Sequence, residues 1–452
     1  MRQSYDVYLK IATKYNLNLN DSQYYKPAFI FAPKKNMRWL LFFIIVFILE
    51  IYAFQAIRRL TSSKKLRITY FLLSFLPIII LIYNFYNNTE DKTFNEYRAI
   101  VLGIVLAVYS LKNMLILFLF GEDIFRSFRY IYKKLKKPSE HVQIEGRRKF
   151  ISQIAMGLGS IPFFSLIYGM FQGKYNFKVL TYELAFEDLP EEFDGYQITQ
   201  LSDIHSGSFN NHEKIKYAIN LINKQESDAL MFTGDLVNSL ASEMDDWKDL
   251  FGQLKAKDGI YSILGNHDYG DYYKFKEPKD KEENFKNFLK VHEEMGWQML
   301  RNEHRLIKKN DAHLAVVGVE NWGKGRFKKA GNIDKACEGL IQKDFKIVLS
   351  HDPSYWDKVL HQHEKNLHLT LSGHTHGMQF GIEIPGWFKW SPIQYRYKQW
   401  AGVYEFKKRY INVNRGFGYL AYPGRVGIWP EITVIKFKKG NSDQSKTVAV
   451  KS

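Results

Sequence analysis

Leu367-His368-Leu369-Thr370-Leu371-Ser372-Gly373-His374-Thr375-His376 runs from alternating leucines into two histidines set between small residues. A short Leu-rich run closed by Ser and Gly is the pattern of a strand buried inside a covered sheet. The same arrangement occurs four more times upstream. Residues 198–201 lead into Asp203-Ile204-His205, 229–232 into Gly234-Asp235, 260–264 into Gly265-Asn266-His267-Asp268, and 347–349 into His351. A Gly-Asp pair alone is usually a turn, and Asp-x-His alone is common. Five such motifs, each at the carboxyl end of an expected strand, bring carboxylates and imidazoles to one edge of an α/β sheet, where open sheets bind their ligands. Together they read as a site for two metal ions.

The rest of the chain says where that site works. With 452 residues, 46% of them hydrophobic, there is enough chain for more than one domain. The net charge of +17 invites a nucleic-acid reading. Its distribution argues against one. Residues 1–174 hold 25 Lys and Arg against 10 Asp and Glu, while the remainder holds 39 against 37. The half with the metal motifs is nearly neutral, so nucleic acid is not its expected partner. The lone Cys337 excludes an intrachain disulfide and a thiolate metal cluster.

Four apolar stretches, residues 39–57, 68–86, 99–120 and 150–171, are each long enough to cross a bilayer, for which roughly 20 residues suffice. Glu50 and Lys112 interrupt two of them, and facing the bundle interior accounts for both. The connector 58–67 carries five basic residues, and 121–149 carries nine, including Lys133, Lys134, Lys136 and Lys137. Both are expected in the cytoplasm. The acidic connector 87–98 belongs on the other side, and the domain after the fourth crossing is then extracytoplasmic. Lys34, Lys35 and Arg38 argue weakly the other way. Arg147-Arg148-Lys149 before the fourth stretch resembles an internal twin-arginine export signal. Ordinary positive-inside flanking charge explains it equally. Residues 1–36 form a polar N-terminal extension, either genuine or a misassigned start. Residues 37–174 form the membrane domain, 175–440 the catalytic domain, and 441–452 a flexible tail.

Within the catalytic part, Ile215, Ala218, Ile219 and Ile222 repeat at helical spacing and mark one amphipathic covering helix. Residues 279–294 read as a charged helix, and 313–319, 411–413 and 432–437 as strands.

The ordered series Asp-x-His, Gly-Asp, Gly-Asn-His-Asp, His and Gly-His-x-His, spread over residues 178–438, resembles that of the calcineurin-like metallophosphoesterases. Leu189-Pro190, Leu201-Ser202-Asp203, Asn414-Arg415-Gly416 and Pro430-Glu431-Ile432, with the membrane segment, resemble its bacterial membrane-anchored branch. That branch is similar to UDP-diacylglucosamine hydrolases and small phosphodiesterases. Met378 stands where many relatives carry a second glycine.

The resemblance implies a two-sheet α/β sandwich flanked by helices, preceded by about four transmembrane helices. It implies two divalent ions, Mn, Fe or Zn, whose identity a mixed oxygen and nitrogen ligand set leaves open. Asp203, His205 and His376 would hold one ion, Asn266, His351 and His374 the other, and Asp235 would bridge them, at roughly 3.5–4 Å separation. Metal-activated hydroxide would attack a phosphomonoester, phosphodiester or pyrophosphate. His267, outside the ligand set, would be the catalytic side chain, stabilising the transition state or protonating the leaving oxygen. Asp268 would orient His267 or cap a turn. A phosphate-containing substrate, lipid-linked or an envelope precursor, and membrane lipids are the expected partners, at a bacterial cytoplasmic membrane. A nuclease on the same fold and a weakly catalytic sensor or scaffold are the competing readings. His361, His363 and His368 mimic a ligand cluster without a strand leading into it. Aromatics and cations interleave over residues 382–400, which suits a membrane interface, the rim of an amphiphile site, or packing across the sheet edge. Arg415 and Arg425 are candidates for contact with substrate phosphate.

Overall fold

The computed structural model describes residues 35–87, 96–135, 145–384, 387–441 and 446–451. Residues 1–34 of the expected N-terminal extension lie outside these, and its last two residues belong to the first helix.

Four long helices come first, α1 (Lys35–Leu60), α2 (Lys64–Asn87), α3 (Glu96–Leu135) and α4 (Glu145–Phe171). Each contains a span apolar enough to cross a membrane: Leu40–Leu60, Lys64–Tyr83, Glu96–Tyr132 and Gly146–Phe171. Large apolar side chains such as Leu72, Leu117 and Ile161 are exposed along them, as bilayer-facing surfaces require and water-facing ones avoid. Lys112 of α3 turns inward, donating to Ser74 O of α2 at 3.1 Å. Arg148 of α4 lies 2.7 Å from Asp123 Oδ1 of α3, and Arg147 covers the Phe125 ring. The arginine pair thus fastens α4 to α3 at one end of the helices.

After α4 the chain builds two sheets. Its strands are β1 (Lys178–Phe186), β2 (Gln197–Leu201), β3 (Ala229–Phe232), β4 (Ile260–Ser262), β5 (Gln298–Met299), β6 (Glu303–Lys309), β7 (Ala312–Gly318), β8 (Phe345–Leu349) and β9 (Leu369–Ser372). There follow β10 (Ile382–Ile384), β11 (Phe388–Trp390), β12 (Gly402–Phe406), β13 (Arg409–Val413), β14 (Glu431–Lys439) and β15 (Lys446–Lys451). The first sheet has the order β15-β1-β14-β2-β3-β4-β5, the second β12-β13-β9-β8-β7-β6, and β10 and β11 form a separate hairpin.

The strands alternate as a sandwich demands. On β3, Ala229 and Met231 face the core between the sheets, with Leu180, Ile347 and Leu369. Leu230 and Phe232 face the opposite side, beneath α5 (His212–Asn223) and α6 (Pro278–Glu294), with Ile215, Ile219 and Phe288. Strands β2, β3 and β4 are parallel, as are β7, β8 and β9. Their carboxyl ends therefore carry all five motifs to one edge of the sandwich.

The tail is a correction. Residues 446–451, expected to be flexible, pair antiparallel with β1 and close the edge of the first sheet. Thr447-Val448-Ala449-Val450 has the β-branched content that an open edge recruits.

Candidate metal centre

The ligand loops are held in a conformation that side chains normally avoid. Asp203, His205, Asp235, His374 and His376 all have positive φ, between 49° and 71°. Such a left-handed backbone costs about 1–2 kcal/mol per L-residue, and it persists where the surroundings over-determine it. Here the loops brace one another. Asp203 N donates to Gly234 O (2.9 Å), His205 N to Asp235 O (3.1 Å) and Gly373 N to His351 O (2.9 Å). The Asp268 carboxylate accepts from Asp235 N, Leu236 N and Gly265 N, each at 2.8 Å, and so ties the β3 loop to the β4 loop. Of the two roles expected for Asp268, the structure takes the backbone cap. Gly373 is needed for space, because a Cβ there would overlap Ser202 Oγ and Asp203 Oδ2.

These loops assemble two clusters able to hold a cation, Asp203 with His205 and His376, and Asp235 with His351 and His374. In the first, His376 Nε2 is 3.2 Å from Asp203 Oδ1 and 3.0 Å from His205 Nε2. In the second, His374 Nδ1 is 3.2 Å from His351 Nε2. Asp235 Oδ2 faces both, 3.2 Å from His351 Nε2 and 3.6 Å from His205 Nε2. Asn266 is the remaining expected ligand. Its Nδ2 donates to Tyr272 OH (2.9 Å), while its buried Oδ1 has no hydrogen-bond partner. A buried acceptor left open calls for a missing donor or ion, and nitrogen and oxygen donors without sulfur suit divalent cations of the Mn, Fe and Zn kind. The residues fit a pair of such ions.

His267 stands beside this set. Its backbone N donates to Asp235 Oδ1 (2.8 Å), and its Nδ1 lies 2.8 Å from Asn238 O, a carbonyl that fixes Nδ1 as the protonated nitrogen. The ring stacks on Tyr272, with centroids 4.3 Å apart.

Charge is arranged to receive cations. Burial alone would raise Asp203, yet the His376 and His351 imidazoles hold its carboxyl well below the usual range. Asp235 behaves alike: burial opposes its charge, but His351 and His267 beside it prevail. Burial lowers His205 and His374, which are therefore neutral and ready to ligate. His351 is the exception. Burial would lower it, but contact with Asp235 pushes it up to about 10. Burial, reinforced by the Asp235 carboxylate, pushes Asp268 up to about 7.

Residues 196–378 match the family model for calcineurin-like phosphoesterases, and residues 37–174 match one described as a probable calcineurin-like phosphoesterase transmembrane domain. The chain belongs to this family. A Danio rerio transmembrane protein with a metallophosphoesterase domain is 27% identical over 281 residues, 60% of either chain. The metallophosphoesterase YkuE of Bacillus subtilis is 29% identical over 256 residues, 56% of this chain and 82% of its own. A Helicobacter pylori metallophosphoesterase is 24% identical over 345 residues, 75% of this chain and 82% of its own. The chain spans 60% of the length of the Danio relative.

Several residues beside the ligands were not among the expected site residues. Asp352 caps the short helix after His351 through Oδ1, and its buried Oδ2 lies 3.4 Å from His374 Nε2. Tyr397 OH is 2.9 Å from the same nitrogen. Asn238 and Tyr272 hold the His267 ring. None of these belongs to a ligand motif: Asp352, Asn238 and Tyr272 follow a ligand within a few residues, and Tyr397 comes from farther along the chain.

The expectation for two arginines is corrected. Arg415 is 4% exposed and its guanidinium is bound to Glu383 and Glu431. Arg425 is fully buried and donates to Gly416 O (3.0 Å) and Gly418 O. Neither presents its charge to a substrate phosphate, because each is used inside the protein. His361 bonds Trp356 O, His363 pairs with Asp334, and His368 accepts from Lys346 N. These three do not converge on an ion. The stretch 382–400 divides: Tyr397 and Trp400 pack inward, while Trp387 and Tyr395 are each 81% exposed.

Proposed function

We propose that this chain is a membrane-anchored, dinuclear metal-dependent phosphoesterase. Its substrate is a phosphomonoester, phosphodiester or pyrophosphate reached at the membrane surface, on a lipid or an envelope precursor. The observation that carries this reading is the position of Asp235 Oδ2 between two ligand clusters, with the non-ligand His267 beside it. A site that only stored metal would have no use for that histidine.

When bound, the two cations supply Lewis acidity toward phosphoryl oxygens and toward water. The chain's own residues do the rest. Asp203, His205 and His376 hold one position, Asn266, His351 and His374 the other, and Asp235 spans both. With Nδ1 tied to Asn238 O, His267 keeps Nε2 available to carry a proton to the leaving oxygen, and the carbonyl steadies the imidazolium. Tyr272 restrains the ring against rotation. The basic connectors 58–67 and 121–149 support an extracytoplasmic catalytic domain at a bacterial cytoplasmic membrane.

The test is an assay of the full-length protein with Mn²⁺ against an aryl phosphate, a bis-aryl phosphate, phosphatidic acid vesicles and single-stranded DNA. Metal-dependent hydrolysis of the phosphate esters is expected. No hydrolysis of any of them would favour a sensor, and preference for DNA would favour a nuclease. Protease access to a tag after Ser452 in spheroplasts reads the orientation, and a protected tag would reverse it.

A further inference from the structure

The hairpin β10–β11 presents apolar side chains where a water-facing hairpin carries polar ones. Ile382, Ile384, Trp387 and Phe388 are all exposed. The hairpin is tied to the end of α4 through one intervening segment. Gly381 N donates to Val426 O (2.9 Å), Val426 N to Gln379 O (2.8 Å), and neighbouring Arg425 N to Gly169 O of α4 (3.2 Å). Tyr422 OH donates to Leu166 O (2.6 Å), and the Trp429 ring meets Tyr168 edge-on. The apolar span of α4 ends at Phe171. The hairpin therefore sits beside the point where that helix leaves hydrocarbon for headgroups, the depth at which Trp is enriched.

Behind the hairpin lies a cleft of about 400 Å³, within the range of roughly 300–1,000 Å³ usual for small-ligand sites. Leu180, Trp387, Phe388 and Trp429 give it apolar walls, and Lys178 and Lys389 line it as well. Arg415 in the same cleft is bound by both Glu383 and Glu431, a trio with one negative charge in excess. Lys178 and Lys389 form no ion pair among the described residues, and Lys389 Nζ bonds only the neutral oxygens of Ala401 and Tyr404. An apolar body with two ammonium groups outside any ion pair and a net charge of +1 over its lining, open beside a membrane helix, is complementary to an anionic amphiphile. A short chain of contacts links the cleft to the metal centre. Lys389 touches Ala401, whose neighbour Trp400 accepts from Thr375 Oγ1 (2.7 Å), between ligands His374 and His376.

We propose that this cleft is a binding site for an anionic phospholipid of the adjacent leaflet. An acyl chain lies against Leu180, Trp387, Phe388 and Trp429, and the headgroup phosphate meets Lys178 and Lys389. The site stands whether or not the lipid is itself hydrolysed.

The test uses the full-length chain in phosphatidylcholine nanodiscs containing phosphatidylglycerol or phosphatidylcholine with a diazirine in the acyl chain. Photolabelled peptides are mapped by mass spectrometry. Labelling of β1 and the β10–β11 hairpin should favour the phosphatidylglycerol probe by roughly fivefold for each lysine. A Lys178→Gln/Lys389→Gln variant should erase that preference, and Trp387→Ser should lower labelling by either probe. Labelling of α1–α4 should be unchanged in both variants, which reports that the protein is folded and inserted. Equal labelling of the cleft by the two probes, or label confined to the membrane helices, would overturn the proposal. Full competition by soluble glycerol phosphate would overturn it too, since the cleft would then take a phosphate and not a lipid.

Discussion

Loading the metal centre should release about one proton per chain, and that proton should come from His351. In the ion-free protein, burial would lower His351, but Asp235 Oδ2 at 3.2 Å outweighs burial and pushes it up to about 10. Asp203 and Asp235 are held below the carboxylate range, and His205 and His374 are lowered, so these four ligands have no proton to give. At pH 8 His351 is therefore almost fully protonated, and a cation must displace that proton to gain the imidazole. The competition weakens apparent affinity at pH 8 by about a hundredfold relative to pH above 10, close to tenfold per pH unit. Asp268, pushed up to about 7, adds at most roughly a tenth of a proton at that pH. The sign for the ion-free protein is the reverse. A raised histidine contributes stability that is complete below its ordinary value of 6.5 and lost as pH rises through about 10. The gap in melting temperature between loaded and stripped protein should widen from pH 7 to 9. Calorimetric titration of stripped protein with Mn²⁺ in buffers of different ionisation enthalpy counts the protons directly. Wild type should release about one, and Asp235→Asn, which frees His351 from its carboxylate, should release close to none for each ion that it still binds. No release from wild type, or equal release from the variant, would refute the reasoning.

Three further outcomes follow from the same geometry. His267→Ala should lower turnover about 10²–10⁴-fold with metal content by mass spectrometry unchanged; unchanged turnover would remove His267 from the reaction. Asp352→Asn keeps the cap on Ser354 N but withdraws charge from His374 Nε2, and should weaken metal affinity about 10–100-fold, read by chelator competition. Arg415→Met leaves Glu431, 1% exposed, without its partner, and should cost about 3–5 kcal/mol; a melt within 2 °C of wild type, by about the usual scaling of stability to melting temperature, would contradict it.

The clustering of ligands was legible because strand periodicity and strand-end motifs are local, and parallel strands bring their carboxyl ends to one edge. Asp203, His205 and His376 meet in one cluster, and Asp235, His351 and His374 in another, as that pattern requires. The four membrane helices were legible for the same reason, being continuous apolar runs. What escaped depends on contacts between distant parts of the chain. Glycine is the residue expected at a left-handed backbone, yet five ligands that are not glycine adopt it themselves. That strain is sustained by hydrogen bonds between loops, which no window of sequence contains. Met378 shares it at φ 57°. Asp268 looked like a partner for the adjacent His267, but it reaches across to the β3 loop. Arg415 and Arg425 looked available because a sequence lists charges without their counterparts, and Glu383 and Glu431 come from other strands. The end of the chain read as a tail because its partner, β1, lies more than two hundred residues upstream.

The central claim is that two cations share Asp235. Anomalous diffraction from crystals of the Mn²⁺-loaded protein tests it most directly. The account predicts two peaks roughly 3.5–4 Å apart, one among Asp203, His205 and His376, the other among Asn266, His351 and His374, with Asp235 between them. A single peak in the wild type, or two peaks retained in Asp235→Asn, would contradict it.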